Sequence, residues 1–276
     1  EEPNTNICPV CTGQPGTLPR TNKAMVEKAL MLCLAMNADI NRKSFFDRKN
    51  YLYADLPAGY QVTQNDMPIG KGGYLDFFMD DGRKIRVHID NLHMEEDAGK
   101  SVHDTDPVWS KIDLNRAGVP LLEMVTEPDF RTAEEVSVFL TDLQRLVRYL
   151  DISDANMEEG SMRCDVNISV RPIGTQELRE RCEVKNVNSR RFARKAIEFE
   201  VQRQIDLWEN GHIVKRQTMQ FVPEEGITTP IRQKEDAHDY RYFPDPDLPP
   251  IIITQDRLNQ IKLSIPSLPQ QLLDTL

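Results

Sequence analysis

The segment Met157 to Arg171, MEEGSMRCDVNISVR, concentrates groups able to do chemistry. From Met162 on, apolar Met162, Cys164, Val166, Ile168 and Val170 alternate with polar Arg163, Asp165, Asn167, Ser169 and Arg171. A period of two puts the polar set on one face of a strand. Two readings stay open. A half-solvated antiparallel strand accounts for the pattern with no further role. A strand lining a wet cleft would offer Asp165 and Asn167 as oxygen ligands to Mg²⁺, and its arginines to phosphates.

A second cluster, LHMEEDAGKS, holds His93, Glu95, Glu96, Asp97 and Lys100. Consecutive acids repel one another unless water or a cation screens them. Acids recur in Glu158-Glu159 before a glycine, and as Glu123 and Glu127 in LLEMVTEPD. Such clusters suit a metal–nucleotide site and are also common on acidic proteins. In RERCEVKNVNSRRFARK, residues 179–195, seven Arg and Lys outnumber Glu180 and Glu183. This is either a charged helix surface with intrahelical pairs or a face for phosphates of ATP or RNA. Cys8 and Cys11 form Cys-Pro-Val-Cys, half of a tetrathiolate zinc site with no second pair at matching spacing. No ordered zinc is therefore expected on these two thiols alone.

The elements that must position these groups follow from periodicity. Residues 22–38 read as an amphipathic helix. Between about 44 and 130, short strand-like runs separated by Gly, Pro, Asn and Asp indicate antiparallel sheet, with Asp81-Gly82 as a hairpin turn. Thr132 and Glu135 form a capping-box pattern ahead of a helix over 132–150. Strands are expected over 161–171 and 182–188, a helix over 190–210 ending at Gly211, and an extended Pro-rich linker over 244–250. The last twenty residues read as the opening of a helical domain. The irregular order favours an α+β fold over a doubly wound one. No Gly-rich phosphate loop follows a strand.

The chain has 276 residues, net charge −10 and 39% hydrophobic residues, which suits a folded soluble protein. No apolar run approaches the roughly 20 residues that span a bilayer. Five dispersed cysteines point to a reducing, cytoplasmic setting, with Cys33, Cys164 and Cys182 as core residues. Both ends read as interior to a longer protein.

The runs PNTNICPVCTGQPGTLPRTN, FDRKNYLYADLPAGYQVTQNDMPIG, LHMEEDAGKS, DLNRAGVPLLEMVTEPDFR, MEEGSMRCDVNISVR, EVKNVNS and DYRYFPDPDLPP fall in order over residues 3–250. Together they resemble the GatB/GatE amidotransferase family, in its bacterial or organellar form. The resemblance implies a catalytic antiparallel cradle over 1–250, similar to glutamine synthetase and guanido kinases, then a truncated helical domain over 251–276. It implies that ATP phosphorylates the side-chain carboxylate of Glu on tRNA(Gln) or Asp on tRNA(Asn). Ammonia from an amidase-like A subunit then displaces the phosphate, in a complex with a small C subunit.

By segment match, Glu96, Glu123 and Asp165 are implied as catalytic, Mg²⁺-binding carboxylates converging on one concave site. Glu158 and Glu159 are further candidate ligands. Arg163, Asn167, Lys185 and Asn188 are implied to contact nucleotide or the aminoacyl end. Cys8 and Cys11 are half of a zinc site whose Zn²⁺ would belong to the full-length protein. The family's N-terminal strand, with a Glu-x-His pair, has no match here, so the chain by itself is expected to be inactive. A tRNA-binding scaffold with a decayed site is the competing reading. Three mutually repelling carboxylates favour the enzyme.

Overall fold

A computed structural model describes residues 2–102, 109–185, 187–231 and 239–268. The end of the expected helical domain, 269–276, lies outside the described residues. The chain begins with α1 (Lys23–Ala35), β1 (Asp39–Ile40), β2 (Lys43–Ser44), β3 (Asp47–Asn50), β4 (Tyr60–Thr63), β5 (Gly70–Lys71) and β6 (Tyr74–Phe78). It continues with β7 (Lys84–Glu96), β8 (Lys100–Val102), β9 (Lys111–Asp113), β10 (Pro120–Thr126), α2 (Ala133–Tyr149), β11 (Val166–Ile168) and β12 (Cys182–Lys185). Then come α3 (Arg190–Glu209), β13 (Gln217–Val222), β14 (Ile227–Pro230), β15 (Phe243–Pro244), β16 (Ile251–Ile252) and α4 (Gln255–Ser264). The fold is α+β, with mainly antiparallel sheets; β12 and β13 pair in parallel.

The chain divides into two compact units. The first comprises Glu1–Leu75, Val87–Glu127 and Ala237–Leu276, and the second Asp76–Arg86 and Pro128–Asp236. In the first unit, β1, β5, β7 and β10 form a sheet, and β15, β3 and β4 form another. Asn22 caps α1 by accepting from the Met25 N–H at 3.1 Å. Cys33 of this helix is fully buried, and a Cβ added at Gly70 of β5 would stand 2.6 Å from its sulfur. Only a glycine lets the helix sit this close. The residues after 250 group with the first unit. Ile251 and Ile252 pair with Ser44 and Lys43, and Arg257 of α4 forms an ion pair with Glu27 of α1. Within the Pro-rich stretch 244–250, the Asp245 N–H donates to the Phe46 carbonyl at 2.8 Å.

In the second unit, α2 and α3 pack together, and α3 lies on a sheet ordered β11-β12-β13-β14. The capping box is complete: the Glu135 N–H donates to Thr132 Oγ1 and the Thr132 N–H to Glu135 Oε2, both at 3.1 Å. Helix α3 ends before Gly211, which takes φ 75°. The 76–86 segment turns at Gly82, φ 83°, as a hairpin glycine must. Beside it, Asp76 accepts two hydrogen bonds from Arg86, at 2.7 and 2.8 Å, and meets Lys84 at 2.8 Å. These cations pull its pKa down to about 2. Cys182 is buried as expected, whereas Cys164 is only half-buried.

Candidate metal centre

Strand β7 decides which side chains meet. Val87 and Ile89 are buried, and so are Leu92 and Met94, so the buried phase shifts by one residue near Asp90. The register against β10 shifts at the same place: Val125 faces Asn91, but Thr126 faces Ile89. An extra residue in one strand is a β-bulge. It turns Leu92 and Met94 to the core and His93 and Glu95 to the other face. Glu123 of β10 lies directly opposite His93 and shares that face.

His93 Nε2 lies 3.6 Å from a Glu123 oxygen and 3.9 Å from a Glu95 oxygen. One ligand atom from each of the three lies within 4.8 Å of the others. No other such group of His, Cys, Asp or Glu occurs among the described residues. Asn91 donates its amide to Asp90 at 2.8 Å and offers its oxygen to His93 Nδ1 at 2.9 Å. That oxygen can only accept, so Nδ1 carries the proton and Nε2 turns a lone pair toward two carboxylates. Burial holds the His93 pKa below its ordinary value, against the pull of Glu123. Burial and then Glu123 push the Glu95 pKa up to about 7. An imidazole lone pair and two carboxylates repel one another until a cation joins them. A ring nitrogen fixed by a second hydrogen bond and two carboxylate oxygens are a fitting donor set for a divalent metal.

Glu96 does not join this group. Its partner Pro120 lies three positions from Glu123 on β10, and an odd separation puts the two on opposite faces. Burial and then Asp245 push the Glu96 pKa up to about 7, and its carbonyl accepts from Gln61 Nε2 at 2.7 Å. The three-donor group therefore pairs Glu95 with Glu123, with His93 between, while the expected ligand Glu96 stands on the other face of β7. The cue was the alternation within LHMEE, hidden when its acids were read as one run.

Asp165 belongs to the second unit, so the structure relates it to that unit's own residues. Arg163, Asp165 and Asn167 are exposed, while Met162, Cys164 and Val166 are half-buried and Ile168 is buried. The alternation survives, although ladder pairing covers only Val166–Ile168. Lys185 Nζ lies 3.4 Å from Asp165 and 3.7 Å from Glu183. Burial opposes the Lys185 charge, but Asp165 and then Glu183 outweigh it and raise its pKa. Asn188 is exposed just ahead of Ser189, the N-cap of α3. Glu158 and Glu159 are exposed in a turn, their N–H groups donating to Asn156 Oδ1 at 3.0 and 3.4 Å. Among the described residues they join no three-donor group. The Cys8 and Cys11 sulfurs lie 3.3 Å apart, also with no third donor among the described residues.

Residues 1–259 match the family described as the GatB/GatE catalytic domain. The chain is 50% identical over 268 residues to the B subunit of the aspartyl/glutamyl-tRNA(Asn/Gln) amidotransferase of Anaeromyxobacter sp. (strain Fw109-5), covering 97% of the chain and 55% of that protein. The B subunits of the same name from Paramagnetospirillum magneticum and Caldicellulosiruptor saccharolyticus are 52% and 51% identical, over 98% of the chain and 56% of each relative. The chain therefore spans about half the length of these curated relatives.

Proposed function

The chain belongs to the GatB/GatE catalytic-domain family, and on that premise we propose that it activates the side-chain carboxylate of Glu-tRNA(Gln) or Asp-tRNA(Asn) for amidation. A carboxylate oxygen attacks the γ-phosphorus of ATP, the bond to the bridging oxygen breaks, and ADP departs with the electron pair. Ammonia then attacks the acyl carbon, phosphate leaves, and the nitrogen gives up one proton to it. An acyl phosphate is needed because a carboxylate anion resists nucleophiles. The same proposal includes ammonia from an amidase-like A subunit, a small C subunit in the complex, and a cradle of the glutamine synthetase and guanido kinase type.

The observation that carries the proposal is the group of His93, Glu95 and Glu123, three donors within 4.8 Å. Glu95 and Glu123 would hold a divalent cation such as Mg²⁺ through oxygen and His93 through Nε2, with Asn91 fixing the ring. Bound there, the cation supplies positive charge against phosphate oxygens. Glu123, its side chain 51% exposed, opens the group to incoming ligand. From the second unit, Arg163, Asn167, Lys185 and Asn188 are proposed to contact nucleotide or the aminoacyl end, and Asp165, Glu158 and Glu159 to offer carboxylate oxygens to Mg²⁺.

The test is Glu123→Gln in the full-length protein, assembled with its partners. Amide formation and tRNA-dependent ATP hydrolysis should fall by about 100- to 1000-fold, the range for losing one charge-stabilising group. Glutamine hydrolysis on the amidase-like partner should persist. Wild-type rates for both would leave the scaffold reading standing. Glu96→Gln separates the two arrangements: it should be the milder change if Glu95 and Glu123 are the partners, and equally damaging if Glu96 is a ligand.

A further inference from the structure

Strands β3 and β4 pair with Asp47 opposite Thr63 and Lys49 opposite Gln61, so these four side chains share a face. Thr63 Oγ1 donates to Glu95 Oε2 at 3.5 Å, which places the candidate metal centre on that face. The neighbouring cation, Arg48, points the other way and is committed to Asp245 at 3.0 Å and Asp247 at 2.6 Å. Lys49 has no carboxylate within ion-pair distance among the described residues. Its Nζ instead lies 4.8 Å from the centre of the Tyr240 ring and 5.7 Å from that of Tyr51.

This seat is built from distant parts of the first unit. Asn50 N–H donates to the Tyr240 carbonyl at 3.0 Å, and its side chain donates to the same carbonyl at 3.1 Å and to that of Arg241 at 2.9 Å. The Tyr51 and Tyr240 rings meet edge to face at 6.0 Å, and Tyr240 meets Tyr242 at 5.9 Å. Aromatic faces attract an ammonium without neutralising it. A carboxylate partner would instead cancel the charge. On the same face, Asp47 is 1% exposed; its Oδ2 accepts from the Asn65 N–H at 2.8 Å, while its Oδ1 has no hydrogen-bond partner among the described residues. Among the described residues, the face thus holds a buried carboxylate with one oxygen unpartnered and a cation with no ion pair.

We infer that Lys49 contacts the reacting phosphate, its ammonium donating to a non-bridging oxygen of the transferred phosphoryl group. The inference deepens the preceding proposal and rests on it. Lys49 gives up no proton: it stabilises charge while the carboxylate–phosphorus bond forms and the bridging bond breaks. A lysine ammonium is a compact point charge suited to phosphate oxygens.

The test compares Lys49→Met with Lys49→Arg in the assembled full-length complex, with Glu123→Gln alongside. Lys49→Met keeps most of the stem packing and loses the charge. It should lower kcat for tRNA-dependent ATP hydrolysis by about 100-fold, with an unchanged melting temperature and retained Mn²⁺ binding. Lys49→Arg, which keeps the charge, should stay within about tenfold of wild type. A Lys49→Met enzyme with wild-type kcat overturns the inference. So do two variants equally impaired with matching losses of melting temperature, which would make Lys49 a packing residue. If Glu123→Gln also leaves ATP turnover intact, the parent proposal falls. If Glu123→Gln abolishes turnover and Lys49→Met does not, only the role of Lys49 falls.

Discussion

Glu95 in the first unit and Glu200 in the second are both carboxylates withdrawn from water, and they are held in opposite ways. Glu200 is 0% exposed. Arg203 donates to it at 2.6 and 2.9 Å, Gln204 at 2.8 Å and Thr228 at 2.7 Å. Burial pushes its pKa up, but these three partners prevail and hold it below the ordinary glutamate value. Two of them come from its own helix at spacings of three and four, where side chains on α3 meet. Glu95 has a threonine, an imidazole lone pair and a second carboxylate for neighbours, and the cation that acts on it, Lys49, makes no ion pair with it. The comparison separates a charge buried to anchor a helix from one left unsatisfied for a ligand. Perturbed, underpaired groups of the second kind mark functional sites.

The largest effect should come from breaking the anchored member. Glu200→Ala leaves Arg203 without its carboxylate and should cost about 3–5 kcal/mol, as for breaking other buried ion pairs. Urea unfolding measures it, and a loss below about 1 kcal/mol would deny Glu200 the anchoring role. Next comes Asp76, a buried carboxylate paired with two exposed cations. Its folded pKa is about 2, depressed from 3.8, so its contribution is complete above the ordinary value and disappears as pH falls toward 2. Asp76→Asn should cost about 1 kcal/mol at neutral pH, after discounting for the exposed cations. The gap from wild type should close on acidification through that window, and a gap independent of pH would rule out the charge as its source. The smallest change should have the opposite sign. Glu95→Gln removes one of two facing carboxylates and should stabilise the metal-free protein by less than about 1 kcal/mol. Saturating Mn²⁺ should reverse the order, because only the wild type keeps the full donor set. Thermal melts with and without Mn²⁺ decide it; a Glu95→Gln protein less stable in both conditions would make Glu95 a structural residue.

Local chemistry was legible in the sequence. Thr132 with Glu135, and Asp81-Gly82, marked a helix start and a turn, and the structure has both of them. These signals lie within a few residues of what they specify. The metal-centre candidate was legible only in part. Glu123 and the LHMEED run lie on the strands that carry the candidate group, but the bulge near Asp90 sets which acid faces which way, and that depends on pairing with β10. The aromatic seat of Lys49 joins residues about 190 positions apart, so no local pattern announces it. Strand β11 fell short of its alternating run because its ladder with β12 spans only Val166–Ile168.

The close seating of α1 on Gly70 has a kinetic consequence. Cys33 is fully buried there, and burial pushes its thiol pKa up to about 12. A thiol reagent reaches it only when the helix lifts from the strand. Cys8 is exposed, and hydrogen bonds from Cys11 lower its pKa, so it reacts without any such opening. The two thiols serve as separate clocks: Cys8 counts reagent encounters, and Cys33 counts how often the helix layer comes away from its sheet.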